Sequence, residues 1–429
     1  MRTLVQTNAT FNVKSGGFSR FAGASSINGG VLIDLARMNK TQIIKDGSTI
    51  SVGPAVRYYD LYRFWDDIGN MGIGPKNGDL TVAGYVLGCG FSLYQQNAGF
   101  ACDDVFNFEL VTAKGEIITV NRKQNKELMS ALRGGGGSSF GIVTRFDILR
   151  EISPKTWWRH IRFPASMNQE VMKAYAYMTK KLLGFDLLGN SFLISSYSED
   201  DGDYVTDVHI NSFVTESDLV QKNKLKLAEP FKSLRGALGH ITETSGAANI
   251  SQTFSEPAGF RRSAWSTSVA VDKPEFLAEI LSEWQEMDQK LKSLPNQKGF
   301  RSEIEFQPVS KRMLWNTLRN RHNALGLPES LGPMIFVLLS VQWADPAFDD
   351  IMDIECKRFI DQVDKTAKRI GQYIGVIHMN YAHPSQDFWG HINPTSYDRL
   401  MATAAKYDPD RALSRLWRGY FKFDNETEG

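Results

Sequence analysis

The sequence predicts an α+β protein of two subdomains, and three observations lead to that class. Hydrophobic residues make up 42% and charged residues 23% of the 429 residues, as in folded globular chains. A chain of this length exceeds the usual size of a single core, so two cores are expected. The pattern of predicted secondary structure changes near residue 150, from strands with glycine loops to longer helices alternating with strands. It changes again near residue 375.

The charge balance argues against two classes of partner. Lys and Arg total 49 and Asp and Glu total 48, which leaves a formal net charge of +1. No global field would attract a phosphate backbone or an acidic bilayer, so neither nucleic acid nor a membrane is expected as a partner. No run of about 18 apolar residues occurs and no apolar stretch follows Arg2, so neither a membrane span nor a signal peptide is predicted. Nothing in the sequence indicates a protein partner.

The cysteine content predicts neither disulfides nor a metal centre. Cys89, Cys102 and Cys356 are too few for a disulfide framework, and their spacing is not that of metal ligands. We expect all three to be buried as small apolar residues, because free cysteine is commonly buried.

Short apolar runs separated by turns predict β-hairpins in the first part of the chain. These runs are 31–33, then 41–56 folding about Asp46-Gly47, and 105–120 folding about Lys114-Gly115.

Two long amphipathic helices are predicted in the middle part. Asp272 is expected to cap the first helix, with Pro274 in its first turn. Its expected buried stripe comprises Phe276, Leu277, Ile280, Leu281, Trp284, Met287 and Leu291. The second helix follows Asp345-Pro346, and its expected buried face comprises Phe348, Ile351, Met352, Ile354, Phe359, Ile360 and Val363. A shorter helix is predicted from about Ser396 to Ala405.

The segment Lys14-Ser15-Gly16-Gly17-Phe18-Ser19 is the first of three glycine loops. Paired glycines let successive backbone N–H groups converge on an anionic oxygen, and the flanking serines add hydroxyl donors. A pyrophosphate would fit such a loop. Taken alone, the motif favours a tight turn between strands, because short glycine motifs are frequent.

Two further glycine loops strengthen the case for an extended anionic ligand. The second covers residues 72–84 and continues to Ser92, and the third covers residues 131–144. The third is too rich in glycine for the interior of a helix or strand. The apolar residues 140–143 behind it indicate a strand that anchors it inside, and the alternative is a flexible surface loop. None of the three has the spacing of a P-loop or a Rossmann fingerprint.

Several short motifs follow one another along most of the chain: Val13-Lys14-Ser15-Gly16-Gly17, 29–35, 74–84, 86–92, 131–144, Asn380-Tyr381 and Tyr407-Asp408-Pro409. This series resembles the FAD-linked oxidoreductases of the berberine-bridge-enzyme-like group, and fungal members are especially similar. The resemblance implies a two-domain PCMH-type FAD-binding fold, of the vanillyl-alcohol-oxidase type, whose central substrate domain is an antiparallel sheet covered by helices. The FAD-binding domain would comprise residues 1–150, the substrate domain 151–375, and residues 376–429 would return to the FAD-binding domain.

The resemblance also implies which residues hold FAD. They are Ser15, Gly16, Gly17, Phe18, Ser19, Lys76, Asn77, Gly78, Asp79, Ala83, Gly84, Gly141, Ile142, Val143 and Asn380. Family members usually attach the flavin through a histidine of the first loop, and many also through a cysteine of the second, where this chain has Phe18 and Asn77. No histidine precedes His160, so we expect noncovalent FAD, with the Phe18 ring packed against the dimethylbenzene edge of the flavin.

Two other departures from the family concern the room left for the pyrophosphate and the length of chain before the first loop. Thr81 and Ala83 stand where glycine is usual, and each side chain is expected to narrow the approach to the pyrophosphate. Family members usually have several dozen residues before the first loop, so the sequence is expected to be N-terminally shortened, either in the native protein or because the sequence is incomplete.

Candidate catalytic residues lie in His378-Met379-Asn380-Tyr381, where the family commonly has Tyr-x-Asn-Tyr. The resemblance places this segment beside the reactive ring of the flavin, with a tyrosine assisting the removal of a substrate proton. Histidine, with a reference pKa of about 6.5, is a competent general base, so His378 and Tyr381 are the candidates. The equal alternatives are a structural histidine bonded inside the sheet and ordinary strand packing for Asn380 and Tyr381.

The leading hypothesis is an FAD-dependent oxidoreductase acting on a small substrate of specialised metabolism by hydride transfer to noncovalent flavin, with molecular oxygen as acceptor. One alternative is a degenerate member that orients a reactive polyene or quinone methide for a non-redox cyclisation. Another is an inactive paralogue that binds a ligand or partner. Tryptophans of the middle part could line a planar pocket, although core packing is favoured for each of Trp157, Trp158, Trp265, Trp315 and Trp343. The sequence leaves the substrate and the compartment open.

Overall fold

The computed structural model describes residues 1–423 apart from 45–46, 48, 71, 150–154, 215–225, 296–297 and 321–322. Its fold class is α+β, as predicted, with one two-stranded, one five-stranded and one seven-stranded sheet among the described residues. The strands are β1 (Phe11–Lys14), β2 (Val31–Asp34), β3 (Thr41–Ile43), β4 (Thr49–Val52), β5 (Val105–Val111), β6 (Ile117–Asn121), β7 (Ile142–Leu149), β8 (Lys155–Pro164), β9 (Gly189–Ser198), β10 (Asp203–Val214), β11 (Gly239–Ser245), β12 (Arg261–Ala270), β13 (Arg301–Val309) and β14 (Met334–Trp343). The α-helices of this part of the chain span Arg2–Gln6, Tyr58–Asp67, Val82–Leu87, Gln95–Ala98, Lys126–Leu132, Asn168–Lys181, Ala247–Gln252, Pro274–Lys292, Lys311–Asn320, Asp349–Ile370, Pro394–Tyr407 and Ala412–Leu416, and residues 226–232 are helical as well.

The five-stranded sheet has the order β3-β4-β7-β5-β6, with every neighbouring pair antiparallel. The predicted hairpin between β5 and β6 turns at Gly115, whose φ of 71° favours glycine. β3 and β4 also pair as predicted, although Asp46 of their expected turn lies outside the described residues. The hairpin expected at 31–33 is wrong, because β2 pairs in parallel with β1. The connection between them carries the first glycine loop and returns the chain to the same end of the pair, as parallel strands require.

The seven-stranded sheet has the order β11-β8-β10-β9-β13-β14-β12, again with only antiparallel neighbours. Successive side chains point to opposite faces of such a sheet. One face carries buried apolar residues, among them Ile161, Leu193, Val208, Ile304, Phe306 and Val337. The helices Asn168–Lys181, Pro274–Lys292 and Asp349–Ile370 pack against this apolar face.

The two long helices largely follow the sequence prediction. Pro274–Lys292 buries all seven residues of its predicted stripe, but the residue before it is Lys273, and Asp272 pairs with Lys180 instead of capping the helix. The helix Asp349–Ile370 buries most of its predicted face, whereas Ile354 is 59% exposed. Ile354 lies two residues from the buried Cys356, about 200° around the helix, which explains its outward position.

The last described residues lie against the first strand and the third glycine loop. Trp417 bridges to Phe11 in parallel, and its indole Nε1–H donates to Asn12 Oδ1 at 2.9 Å. Lys422 Nζ donates to the carbonyl of Ser138 at 2.7 Å. Residues 417–422 therefore pack on the glycine-rich first part. Among the described residues, no helix is both long and apolar enough to cross a bilayer.

All three cysteines are buried, as expected, but the expectation that none forms a disulfide is wrong at two positions. Cys89 and Cys102 form a disulfide, and Cys356 is buried and free, as expected. The turn at Gly88-Cys89-Gly90 and the short helical turn 101–104 bring two sequence-distant side chains together, which cysteine count and spacing cannot reveal.

Candidate active site

A cavity of about 600 Å³ lies between the three glycine loops and one face of the seven-stranded sheet. Most of the predicted cofactor-binding residues line it, namely Ser15, Gly16, Gly17, Phe18, Ser19, Lys76, Asn77, Ala83, Gly84, Gly141, Ile142, Val143 and Asn380. The predicted catalytic residue Tyr381 also lines it, whereas Gly78, Asp79 and His378 are not among the lining residues.

The first glycine loop is tied to the second through Thr81. Ser15 Oγ lies 2.7 Å from the carbonyl oxygen of Pro54 and 2.8 Å from Thr81 Oγ1, and the N–H of Gly16 donates to Thr81 Oγ1 at 3.1 Å. A Cβ at Gly16 would lie 2.6 Å from Thr81 Cγ2, so this close approach requires glycine. Thr81 therefore holds the two loops together.

Backbone donors of the first loop remain available to a ligand. The N–H groups of Gly17, Phe18 and Ser19 donate to no described residue, and all three residues line the cavity. The φ of Gly17 is 70°, in the left-handed region that lets successive N–H groups converge. This loop can therefore accept an anionic oxygen.

The second loop divides into lining residues and residues that support them. Lys76 and Asn77 reach the cavity, whereas the N–H of Gly78 donates to the carbonyl of Ser251 at 3.2 Å. The N–H of Asp79 donates to Asn77 Oδ1 at 2.8 Å, and the Asp79 carboxylate lies 3.7 Å from Arg57. Gly78 and Asp79 therefore do not line the cavity and instead support the residues of the loop that do.

The third loop enters β7 at the cavity edge, as its apolar end predicted. Gly141 has a φ of 139°, and a Cβ there would lie 2.5 Å from the carbonyl oxygen of Val111, so only glycine fits. Ile142 and Val143 follow directly and present apolar surface to the cavity.

A buried ion pair spans the second loop and the sheet. Lys76 Nζ donates to Glu305 Oε2 of β13, and it also lies 5.0 Å from the centroid of the Phe192 ring. Burial lowers the pKa of Lys76, but Glu305, Tyr381 and Glu303 together outweigh burial, so the pKa is raised. Lys76 therefore stays charged at the cavity wall.

A second charged group lies near the first loop. Arg20 donates to Glu256 at 2.6 Å, and Arg262 of β12 lies 3.4 Å from the same carboxylate. The Arg262 guanidinium is 6.0 Å from the centroid of the Phe18 ring, at the outer limit of a cation–π contact. Both arginines line the cavity, which places two cations beside Phe18.

Tyr381 lies at the cavity between these charged groups. Burial raises the pKa of Tyr381 to about 12, and the nearby cations Lys76 and Arg20 act against that rise. The carboxylates Glu305 and Glu256 raise the pKa further, so the hydroxyl is protonated at neutral pH, and only the two cations favour its ionised form.

His378 is enclosed rather than presented to the cavity. Its Nε2–H donates to the carbonyl of Cys89 at 3.0 Å, and its Nδ1 accepts the N–H of Asn380 at 3.3 Å. Burial lowers the pKa of His378 to about 4. Both ring nitrogens are engaged by the backbone, so the geometry does not fit a general base and matches the structural alternative. The imidazole fixes the turn that carries Asn380 and Tyr381.

An aromatic wall on the sheet completes the cavity, and we define it as Trp158, Phe192, His209 and Phe254. Phe192 and His209 stack with centroids 4.7 Å apart, and Trp158 and Phe254 lie within 6 Å of both. Of the tryptophans considered from sequence, Trp158 lines the cavity, while Trp157, Trp265 and Trp343 belong to the core on the other face.

Sequence reasoning missed most of the sheet residues at the site. The cavity-facing side chains include Trp158, His160, Arg162, Glu303, Glu305 and Gln307. In β8 and β13 they alternate with residues of the opposite face, and this alternation is visible in the sequence. That period-two pattern could have found them.

The residues present fit FAD. The free N–H groups of the first loop suit an anionic pyrophosphate, and Gly84 has open space where a Cβ would lie. Two buried oxygens of lining residues, Asn190 Oδ1 and Gln307 Oε1, have no hydrogen-bond partner in the described part of the chain, so a ligand can satisfy them.

Known proteins are similar to this chain in sequence and in fold. Residues 1–121 match the family model described as an FAD binding domain. The chain is 26% identical over 433 residues to the FAD-dependent monooxygenase tpcD of Cochliobolus heterostrophus, which covers 97% of this chain and 81% of that relative.

Solved structures share the fold at low identity. 6-Hydroxy-D-nicotine oxidase of Arthrobacter nicotinovorans superposes with a TM-score of 0.75 and 18% identity, covering 97% of this chain and 88% of that one. Glucooligosaccharide oxidase of Acremonium strictum, with a 6-S-cysteinyl, 8α-N1-histidyl FAD, superposes with a TM-score of 0.75 and 16% identity. The match covers 95% of this chain and 86% of that one. Residues 1–121 therefore match an FAD-binding domain, and the chain as a whole is similar to FAD-dependent oxidoreductases in sequence and in fold.

Proposed function

We propose that this oxidoreductase holds FAD without a covalent bond and oxidises a small planar substrate of specialised metabolism by hydride transfer, with molecular oxygen as acceptor. The observation that carries the proposal is the meeting of three glycine loops at one cavity, which Phe18 and Asn77 also line. The resemblance implies flavin-attachment positions at these two residues, and neither side chain can form the bond. Bound FAD would supply the hydride acceptor and pass electrons to oxygen. The relative tpcD is named a monooxygenase and both structural neighbours are named oxidases, which supports oxygen as the acceptor.

The chain's own residues would bind, orient and handle the proton. The backbone donors of residues 17–19 would hold the anionic part of FAD, and Ile142 and Val143 would contact its apolar parts. The aromatic wall would orient a planar substrate by ring contacts. The ionised form of Tyr381 would take the substrate proton, and Lys76 and Arg20 would stabilise that tyrosinate. His378 would act only by positioning the turn.

The test of noncovalent binding is acid precipitation of the yellow holoprotein. We expect the flavin in the supernatant and a colourless pellet, because neither Phe18 nor Asn77 can form the bond. Glucooligosaccharide oxidase of Acremonium strictum, with its cysteinyl and histidyl FAD, serves as the control for retention. Colour that stays with the denatured pellet contradicts the proposal.

The test of redox function is anaerobic reduction of the bound flavin followed by mixing with air. We expect rapid return of the oxidised absorption spectrum. A folded protein that purifies colourless and takes up no added FAD contradicts the proposal and favours non-redox cyclisation or ligand binding. The names of the relatives make monooxygenation the second candidate function, and isotope-labelled oxygen appearing in the product would favour it over oxidation alone.

A further inference from the structure

His160 of β8 and Asp207 of β10 form a hydrogen-bonded pair at the cavity wall. His160 Nε2 lies 2.7 Å from Asp207 Oδ1, and both residues line the cavity. The two strands are neighbours in the seven-stranded sheet, so the pair is held by backbone pairing and not by a loop. A carboxylate in this position fixes the imidazole tautomer, with the proton on Nε2 and a lone pair on Nδ1.

Arg162 sets the charge of this pair. Its Nε and Nη2 donate to the two oxygens of Asp207 at 2.9 and 3.0 Å. Burial raises the pKa of Asp207, but the hydrogen bonds from His160 and Arg162 outweigh it and lower the pKa to about 2. Because Arg162 already balances the carboxylate, the three side chains are neutral in sum when His160 is uncharged.

The second ring nitrogen of His160 is open to a ligand. Nδ1 of His160 has no hydrogen-bond partner in the described part of the chain, and the side chain is 22% exposed. The neighbouring His209 differs, because its Nδ1 is fully buried and unpartnered, and burial holds its pKa well below the usual range. His160 therefore presents an accessible imidazole lone pair to the cavity at Nδ1, whereas Nδ1 of His209 is enclosed.

His160 continues the aromatic wall away from the second loop. It stacks on His209 with centroids 4.6 Å apart and planes 13° apart, and His209 stacks in turn on Phe192. The three residues are register partners on β8, β10 and β9, so His160 lies two strand spacings, roughly 10 Å, from Phe192. A planar molecule of two or three fused rings spans that distance. One end would reach Lys76 and Tyr381, and the other would reach His160.

We propose that His160, positioned by Asp207, is a general base that ionises a phenolic or enolic hydroxyl of a planar substrate. The substrate O–H bond breaks, an N–H bond forms at Nδ1, and the electron pair remains on the substrate oxygen. The imidazolium is stabilised by Asp207 and by the new oxyanion. Delocalisation of that pair into the conjugated ring makes a distant C–H or O–H group a better donor of electrons. This inference rests on the proposed function and names its substrate class.

The charged and titratable groups around His160 are consistent with this direction of proton transfer. Arg162 and Asp207 contact it or its partner, and His209 lies beside it as an uncharged ring. Glu243 of β11 also lines the cavity. It is the register partner of Trp158, which lies two residues from His160 along β8. Ile241 is the register partner of His160 on that strand and adds no charge.

The experiment uses the holoprotein and 4-nitrophenol, whose phenolate has its own absorption band. At a pH below the pKa of the free phenol, difference spectra are recorded while protein is added. We expect saturable growth of the phenolate band, with an ionised-to-neutral ratio at least about tenfold above that of the free phenol, which is one unit of pKa. His160→Gln should bind the phenol in its neutral form. Asp207→Asn should retain binding and shift the pH midpoint of the band upward.

His240→Gln is the matched control. His240 is an exposed residue of β11 that does not line the cavity, so its variant should reproduce the wild-type spectrum. The inference is overturned if wild-type protein binds the phenol in neutral form or not at all, or if His160→Gln still ionises it. Flavin content and reoxidation by air are measured on the same samples. A protein that ionises the phenol but fails those redox measurements retains the dyad and loses the proposed function.

Discussion

The two faces of the seven-stranded sheet use the same strands for different purposes. On one face, residues such as Leu193, Val208 and Phe306 are fully buried under helices. On the other, Asp207, His209 and Glu305 line the cavity beside the glycine loops. Adjacent residues of one strand thus contribute either to stability or to the chemistry of the cavity. Their substitution should therefore change either the free energy of unfolding or the activity.

The largest expected effect is on the helix-covered face. Phe306→Ala should lower the free energy of unfolding by about 3–5 kcal/mol, because it removes a fully buried ring from β13 and leaves a cavity. Urea denaturation monitored by circular dichroism measures the change. Flavin per folded molecule should be unchanged, and a loss of flavin without a loss of stability would break the comparison.

The adjacent residue tests the cavity face. Glu305→Gln leaves the Lys76 ammonium buried without its carboxylate, so the unfolding free energy should fall by up to about 3 kcal/mol. Adding Lys76→Met in the same chain should restore most of that loss, because it removes the unpaired charge. Equal stability of the single and double variants in urea titrations would contradict this account of the pair.

Tyr381→Phe sharpens the assignment of chemistry to the cavity face. It removes the proposed proton acceptor but keeps the ring, so kcat should fall about 100-fold while flavin content stays constant. With a turnover substrate in hand, the wild-type rate should rise with pH toward the raised pKa of about 12 for Tyr381, because the tyrosinate is the reactive form. A rate profile unchanged by the substitution would remove Tyr381 from the mechanism.

The smallest effect concerns His378, the enclosed residue of the same turn. Its folded pKa of about 4 lies below the reference value of about 6.5, so the unfolded chain binds the proton more readily. The stability it contributes is present above pH 6.5 and is lost as the pH falls toward 4, with about 2 kcal/mol lost by pH 5. His378→Asn should lack this part of the pH dependence in denaturant titrations at pH 7 and pH 5. The same slope in both proteins would place the titration elsewhere.

How far the sequence predicted the site depends on the kind of residue. The glycines of the first and third loops were recognisable because their backbone requirement is local, as at Gly17 and Gly141. Gly78 and Asp79 share a loop with lining residues but support it from behind, and only their contacts with Ser251 and Arg57 show this. His378 matched a catalytic position in the family motif, yet its two backbone partners come from the turn itself and from Cys89.

The sequence by itself determined the α+β class, the buried stripe of Pro274–Lys292 and the glycine loops. It also determined that residue 18 is phenylalanine and not histidine. These depend on periodicity, on backbone freedom and on residue identity, which are local properties. The tertiary structure decided the disulfide between Cys89 and Cys102, the pairing of Lys76 with Glu305 and the contact of His160 with Asp207. Each joins residues from different elements, and their distance apart is fixed only when strand order and register bring those elements together.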